Sequence, residues 1–361
     1  MLYHLLYPLR DVFIVFNVFR YITFRSAYAI ITALLITLIL GPYVIRWLAA
    51  RQVGENIRED VPRNHLAKAG TPTMGGILIL LAILVPTLLW ARWDEGLVWI
   101  ALLGTMVFGL VGFLDDYLKL RRPNTGGMRG KPKLLLQVAL GFGLMVILVN
   151  SYGSAEFASR LSVPFFKKVM PDLGWAYPLF GALVVVGASN AVNLTDGLDG
   201  LATGPVIVAM VAYAIIAYVV GNAKFAAYLN IVHVPGAGEL TVFCGSAVGA
   251  SLGFLWYNAY PAELFMGNVG ALALGAALGI VAAATKHELL LVLVGGIFVI
   301  EAVSVVLQVA SFKSTGRRVF RMAPLHHHFE MKGWAEPKII VRFWIVAIAL
   351  ALLSLSTLKL R

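Results

Sequence analysis

The sequence predicts an all-α, polytopic integral membrane protein with about ten transmembrane helices, and three observations lead there. The composition is 60% hydrophobic and only 13% charged, with a mean hydropathy of +0.85, whereas soluble domains carry about a quarter charged residues. Apolar runs able to cross about 30 Å of hydrocarbon recur near residues 27–48, 74–91, 97–119, 134–150, 176–194, 201–220, 240–257, 269–285, 288–311 and 339–358. The basic residues are also one-sided. If the first run ends inside, three inside loops hold 18 of the 29 Lys and Arg residues, and the positive-inside rule then makes both termini periplasmic.

The formal charge of +11 is therefore a field on one face. It suits anionic membrane lipids or a polyanionic substrate rather than nucleic acid, because no aromatic and basic domain stands outside the membrane. Cys244 is the single cysteine, so no disulfide forms within the chain. The whole of 1–361 reads as one transmembrane domain. Residues 1–25 form an interfacial segment, since Arg10, Asp11, Arg20 and Arg25 interrupt any span there, and 312–338 form a cytoplasmic loop rich in histidine.

Along the chain, polar residues gather at span ends. The loop before the second span contains Lys68 and Gly70-Thr-Pro-Thr-Met-Gly-Gly76. It reads either as helix capping and a turn or as a phosphate site with Lys68 and Thr73 facing the anion. The third span runs into Asp115 and Asp116, followed by Lys119, Arg121 and Arg122. Such carboxylates either pair with Lys119 or Arg122 in the headgroup zone or serve a site, one facing the reaction and the other a lysine. Lys131 and Lys133 open the fourth span, and residues 152–175 lie outside along the interface.

The fifth span ends in Asn190, Asn193, Asp196-Gly-Leu-Asp199-Gly200. Asn193, Asp196 and Asp199 recur every third residue and share a face if the helix persists; a solvated loop is the alternative. Phe265-Met-Gly-Asn268 precedes the eighth span, as a helix start with free N–H groups for an anion or with Asn268 as N-cap. Glu301 lies within the ninth span, where a helix-to-helix hydrogen bond and a link to the site both remain open. His326, His327 and His328 are adjacent and lack zinc-ligand spacing; as hydrogen-bond donors they suit phosphate or sugar.

Because spans alternate in direction, these clusters collect on the cytoplasmic face, where the active site is expected. Carboxylates, lysines and glycine turns without a cysteine set point to Mg²⁺ and phosphate, and to phosphoryl transfer, which needs mainly positioning and charge neutralisation. Transporters instead keep polar groups near the midplane on broken helices.

The strings Gly70–Gly76, Asp115-Asp116-Tyr117, Asn190–Gly200, Phe265-Met-Gly and Ala323-Pro-Leu-His-His-His-Phe-Glu330 together resemble the phospho-N-acetylmuramoyl-pentapeptide transferases, a branch of the polyprenyl-phosphate N-acetylhexosamine-1-phosphate transferases. The resemblance implies a ten-helix, Mg²⁺-dependent inner-membrane enzyme, commonly a homodimer. It would move phospho-MurNAc-pentapeptide from UDP-MurNAc-pentapeptide to undecaprenyl phosphate, giving lipid I and UMP. By matched position, Asp115 and Asp116 act at the lipid phosphate or organise the site. Lys68, Lys133, Asn193, Asp196 and Asp199 hold the nucleotide and diphosphate, Phe265 stacks on uracil, and His326, His327 and His328 line the groove. A sister transferase using UDP-GlcNAc is the near alternative, and a transporter the distant one.

One position departs from that pattern. Asn268 stands where the family carries the Asp expected to bind Mg²⁺. An amide keeps the shape but brings no negative charge, so an impaired enzyme with an intact nucleotide site is expected.

Overall fold

The computed structural model describes residues 1–51, 70–121, 127–166 and 169–359. Lys68 and Arg122 lie outside the described residues. Ten principal helices follow in order: α1 (Ile22–Ala50), α2 (Gly76–Trp90), α3 (Gly96–Arg121), α4 (Gly130–Ser151), α5 (Tyr177–Thr195), α6 (Thr203–Val220), α7 (Leu240–Asn258), α8 (Gly267–Ala284), α9 (Gly296–Thr315) and α10 (Glu336–Ser356). In hydrocarbon every backbone N–H and C=O must be paired within the segment, which leaves the helix as the form these apolar runs take. Nine of the ten are long and apolar enough to span a membrane; α2, with 15 residues, is shorter.

Two boundaries differ from expectation. α1 starts at Ile22, so Arg25 is not an interruption before the first span but a buried residue inside it, held by both Glu239 carboxylate oxygens at 2.6 Å. The ninth run does not form one helix from 288. A short helix, Leu291–Val294, ends at Gly295 before α9 begins. The N-terminal segment is a short helix, Leu2–Leu6, followed by two 3-10 stretches.

α8 is the centre of the bundle, and its composition of Gly, Ala and small aliphatics explains why. Small residues let neighbouring backbones approach closely, which is how helices associate where lipid removes the hydrophobic driving force. A Cβ on Gly275 or Gly279 would strike the backbone of Ala188 or Val185 in α5, and one on Gly112 of α3 would strike the backbone of Asn268. These pairs run in opposite senses, with Gly104 of α3 reaching Ile280, so α3 and α5 are antiparallel to α8. Their C-terminal ends therefore meet its N-terminus. Gly76 against Gly270 brings the start of α2 to the same place.

The far end of the bundle also holds buried polar pairs. Besides Arg25 and Glu239, the fully buried Lys286 lies 3.7 Å from Glu288 and 3.6 Å above the Tyr177 ring. Burial lowers the Lys286 ammonium to about 8. Both groups are internally paired.

Candidate functional site

At the shared end, α3 delivers Asp115 and Asp116 side by side, both buried. Asp115 collects four donors. The Met128 N–H binds Oδ1 at 2.7 Å, Lys133 and Lys119 both stand 3.1 Å from Oδ2, and the Asn268 amide donates to Oδ2. Asp116 takes the Val269 N–H at 3.2 Å and faces Lys119 at 3.4 Å.

The expected division, one carboxylate to a lysine and the other to the reaction, is replaced by a shared lysine with a second lysine on Asp115. Likewise Asn268 does not cap α8. Its position lies inside the helix, whose N-cap is Met266 with no side-chain bond. An α8 N–H expected to be free for an anion is instead taken by Asp116, a carboxylate brought in from α3, as the partial positive charge of a helix start favours.

Three backbone hydrogen bonds zip the loop before α2 to the loop before α8: Phe265 N–H to Pro72 O at 2.8 Å, Gly75 N–H to Phe265 O at 2.8 Å and Gly76 N–H to Met266 O at 2.9 Å. Gly267 takes φ +70, and a Cβ there would lie 2.8 Å from Asp116 Oδ2 and 3.2 Å from Thr73 Oγ1. Thr73, Asp116 and Asn268 are thus brought together, with Phe265 half-buried beside them.

On the other side, α5 stops at Thr195 with Asp196 as its C-cap, so the helical register shared by Asn193, Asp196 and Asp199 does not persist to Asp199. Asn193 sits in the last turn and is half-buried, as is Asp196. The buried Asp199 accepts the Ala262 N–H at 3.0 Å, while its own N–H donates to Glu336 at 3.1 Å. That oxygen holds the fold of the turn.

Asn258, at the C-terminal end of α7, joins the two halves. Its Oδ1 accepts from Gly200 N–H at 3.1 Å and Thr203 Oγ1 at 3.0 Å, and its Nδ2 donates to Leu264 O at 2.9 Å. A lone Asn near a helix end carries no pattern, and only the tertiary contacts reveal it.

The three histidines differ. His326 is fully buried on a short helix, Leu325–Glu330. It is gripped by Glu301 through its N–H at 3.1 Å and Nδ1 at 3.2 Å, and its ring rests on Gly197. Burial holds its pKa below the usual imidazole value against the opposing pull of Glu301. His327 bonds Glu330 at 2.6 Å. His328 accepts the Arg321 N–H at 3.1 Å, and burial lowers its pKa as well. Glu301, left open by sequence, is thus the anchor of the histidine helix.

Among the described residues no group of three His, Cys, Asp or Glu side chains could alone hold a metal ion. Mg²⁺ needs less than that, since it keeps waters and substrate phosphates beside one or two carboxylates. Asp115, Asp116 and the Asn268 amide oxygen are hard donors at one spot, and with substrate phosphates they fit such an ion.

Apolar helices that bring Asp115, Asp116, Lys119 and Lys133 together at one end describe a multi-pass membrane protein with a charged site, and Glycosyl transferase family 4 matches residues 98–286, which makes the class a membrane transferase. The signature 1 pattern of phospho-N-acetylmuramoyl-pentapeptide-transferase matches residues 68–80. Over the full length of both chains, this sequence is 60% identical to the phospho-N-acetylmuramoyl-pentapeptide-transferase of Desulfatibacillum aliphaticivorans. It is 57% identical to those of Syntrophus aciditrophicus (strain SB) and Citrifermentans bemidjiense. The chain belongs to the phospho-N-acetylmuramoyl-pentapeptide transferases, the multi-pass membrane transferases of bacterial peptidoglycan synthesis.

Proposed function

We propose that this chain transfers phospho-MurNAc-pentapeptide from UDP-MurNAc-pentapeptide to undecaprenyl phosphate, releasing UMP and forming lipid I on the cytoplasmic side of the inner membrane. The observation that carries this reading is the convergence of Asp115, Asp116, Asn268, Thr73 and Lys133 around the start of α8, at the membrane end toward which the basic loops are assigned. A soluble diphosphate and a lipid phosphate meet naturally there.

In this reading an oxygen of the lipid phosphate attacks the sugar-linked phosphorus in line. The bond to the UMP oxygen breaks, and UMP leaves with the electron pair. A phosphate monoester has a second pKa of about 6 and is largely dianionic at neutral pH, so the attack needs little help from a base. Asp115, already holding four donors, is a poor nucleophile and suits an organising role. Lys119 and Lys133 offset the charge that gathers on the phosphates. Asp115, Asp116 and Asn268 would hold Mg²⁺, which supplies charge neutralisation on the diphosphate. Lys68, Asn193 and Asp196 hold the nucleotide, Phe265 stacks on uracil, and two copies form a homodimer. Asn268 weakens the hold on Mg²⁺ and slows the enzyme.

The test is to incubate the purified full chain with undecaprenyl phosphate, MgCl₂ and each UDP-sugar. UMP release with UDP-MurNAc-pentapeptide alone is the expected result. Release only with UDP-GlcNAc would assign the sister activity, and label accumulating on Asp115 or Asp116 would overturn direct attack.

A further inference from the structure

Glu301 is wholly buried in α9, and its carboxylate spends both oxygens on one residue. Oε1 takes the His326 backbone N–H at 3.1 Å and Oε2 faces Nδ1 at 3.2 Å. A carboxylate only accepts, so Nδ1 carries the ring proton and Nε2 is left with its lone pair. That Nε2 is buried and has no hydrogen-bond partner. It is aimed at Gly197, where a Cβ would run into it before any other atom. Polar atoms this deeply buried are nearly always satisfied, and this one lies against the turn between Asp196 and Gly200.

We propose that Glu301 is a positioning residue that fixes the His326 tautomer, so that Nε2 accepts a hydrogen bond from a hydroxyl or N–H of the nucleotide-sugar bound on the Asp196–Gly200 turn. The identity of that ligand rests on the function proposed above; the tautomer does not. Carboxylates that orient a histidine through one nitrogen while the other works are a recurrent device.

The alternative is that Glu301 merely tethers the short histidine helix, and Glu301→Gln separates the two. Glutamine has one acceptor and one donor group. The arrangement that leaves nothing buried unpaired puts its oxygen on the His326 N–H and its NH₂ on a bare Nδ1, which moves the proton to Nε2 and turns the acceptor into a donor. The helix stays tethered while the ring presents the wrong atom.

The experiment is ¹⁵N magnetic resonance of the full chain, histidine-labelled in lipid bilayers, with the His326 signal assigned by its loss in His326→Ala. It is paired with equilibrium binding of UDP-MurNAc-pentapeptide. The native chain is expected to show protonated Nδ1 and bare Nε2, and Glu301→Gln the reverse, with Kd raised about tenfold, the worth of one hydrogen bond. Protonated Nε2 in the native chain overturns the proposal without any variant, as does an unchanged tautomer in Glu301→Gln. A reversed tautomer with unchanged Kd also overturns it. A native chain that shows bare Nε2 yet does not bind UDP-MurNAc-pentapeptide overturns the functional reading instead.

Discussion

The side-chain amide of Asn268 donates to Asp115 from 153 residues away in the chain, adding a hydrogen bond to a carboxylate already balanced by Lys119 and Lys133. Replacing Asn268 with Asp removes that donor and sets two acidic groups against each other beside Asp116. Like charges at such distance are unfavourable unless a cation joins them. Metal-free Asn268→Asp should therefore melt below the native chain, by an amount matching about 1–3 kcal/mol, and regain stability on adding MgCl₂ far more than the native chain does. Thermal unfolding in EDTA and in Mg²⁺ reads this directly, and UMP release should rise with the same substitution. Equal Mg²⁺ responses in the two proteins would remove Asn268 from the metal site.

Asn258 holds Gly200, Thr203 and Leu264 with one amide. Asn258→Leu keeps the volume and strands three polar groups in a buried place. Each unsatisfied group costs about 1–3 kcal/mol. A loss of stability of at least about 2 kcal/mol is expected, together with weaker nucleotide binding, because the turn carrying Asp196 loses its link to the loop carrying Phe265. Unchanged binding of UDP-MurNAc-pentapeptide would show that the two halves are aligned by other contacts.

Much of this site is legible in the sequence because membrane helices alternate in direction. Once the spans are marked, Asp116, Asp196, Asn268 and His326 are expected at one end; Asp116 meets the start of α8 at Val269, and His326 rests on the turn after Asp196 at Gly197. What sequence does not show is which donors each group receives. That α8 starts two residues too early for Asn268 to be its cap goes with the close approach of α3 at Gly112, a packing fact with no local signature. The role of Glu301 is hidden for the same reason, since its partner His326 lies 25 residues on, beyond a loop whose path no periodicity records. Arg25 misled because a charge normally ends a span, and only its distant partner Glu239 makes it tolerable inside one.

Both His326 and His328 have pKa values lowered by burial, and the sign of the resulting pH dependence is fixed. Below the unfolded value of about 6.5 the unfolded chain binds protons that the folded chain refuses. Stability is therefore fully present above that pH and is lost as pH falls toward the lowered folded values. Melting temperature should stay level from pH 8 to 7 and decline from 6.5 to 5, with a shallower decline in His326→Gln. A flat profile between pH 7 and 5 would contradict the buried neutral state of His326.

At the far end, Arg25 and Glu239 form two bonds of 2.6 Å. The guanidinium also reaches Trp90 O at 3.1 Å, and Glu239 takes the Arg92 N–H at 3.1 Å. Removing one partner of a buried pair leaves an uncompensated charge and costs about 3–5 kcal/mol, whereas replacing both with apolar residues of similar size is often neutral. Arg25→Met should accordingly lower the melting temperature sharply, and Arg25→Met with Glu239→Leu should restore part of the loss. The pair lies at the opposite end of the bundle from Asp116, so the Kd for UDP-MurNAc-pentapeptide, measured well below the melting point, should be unchanged in the double variant. A weakened Kd there would mean that the two ends of α7, which starts beside Glu239 and ends at Asn258, are coupled through the helix.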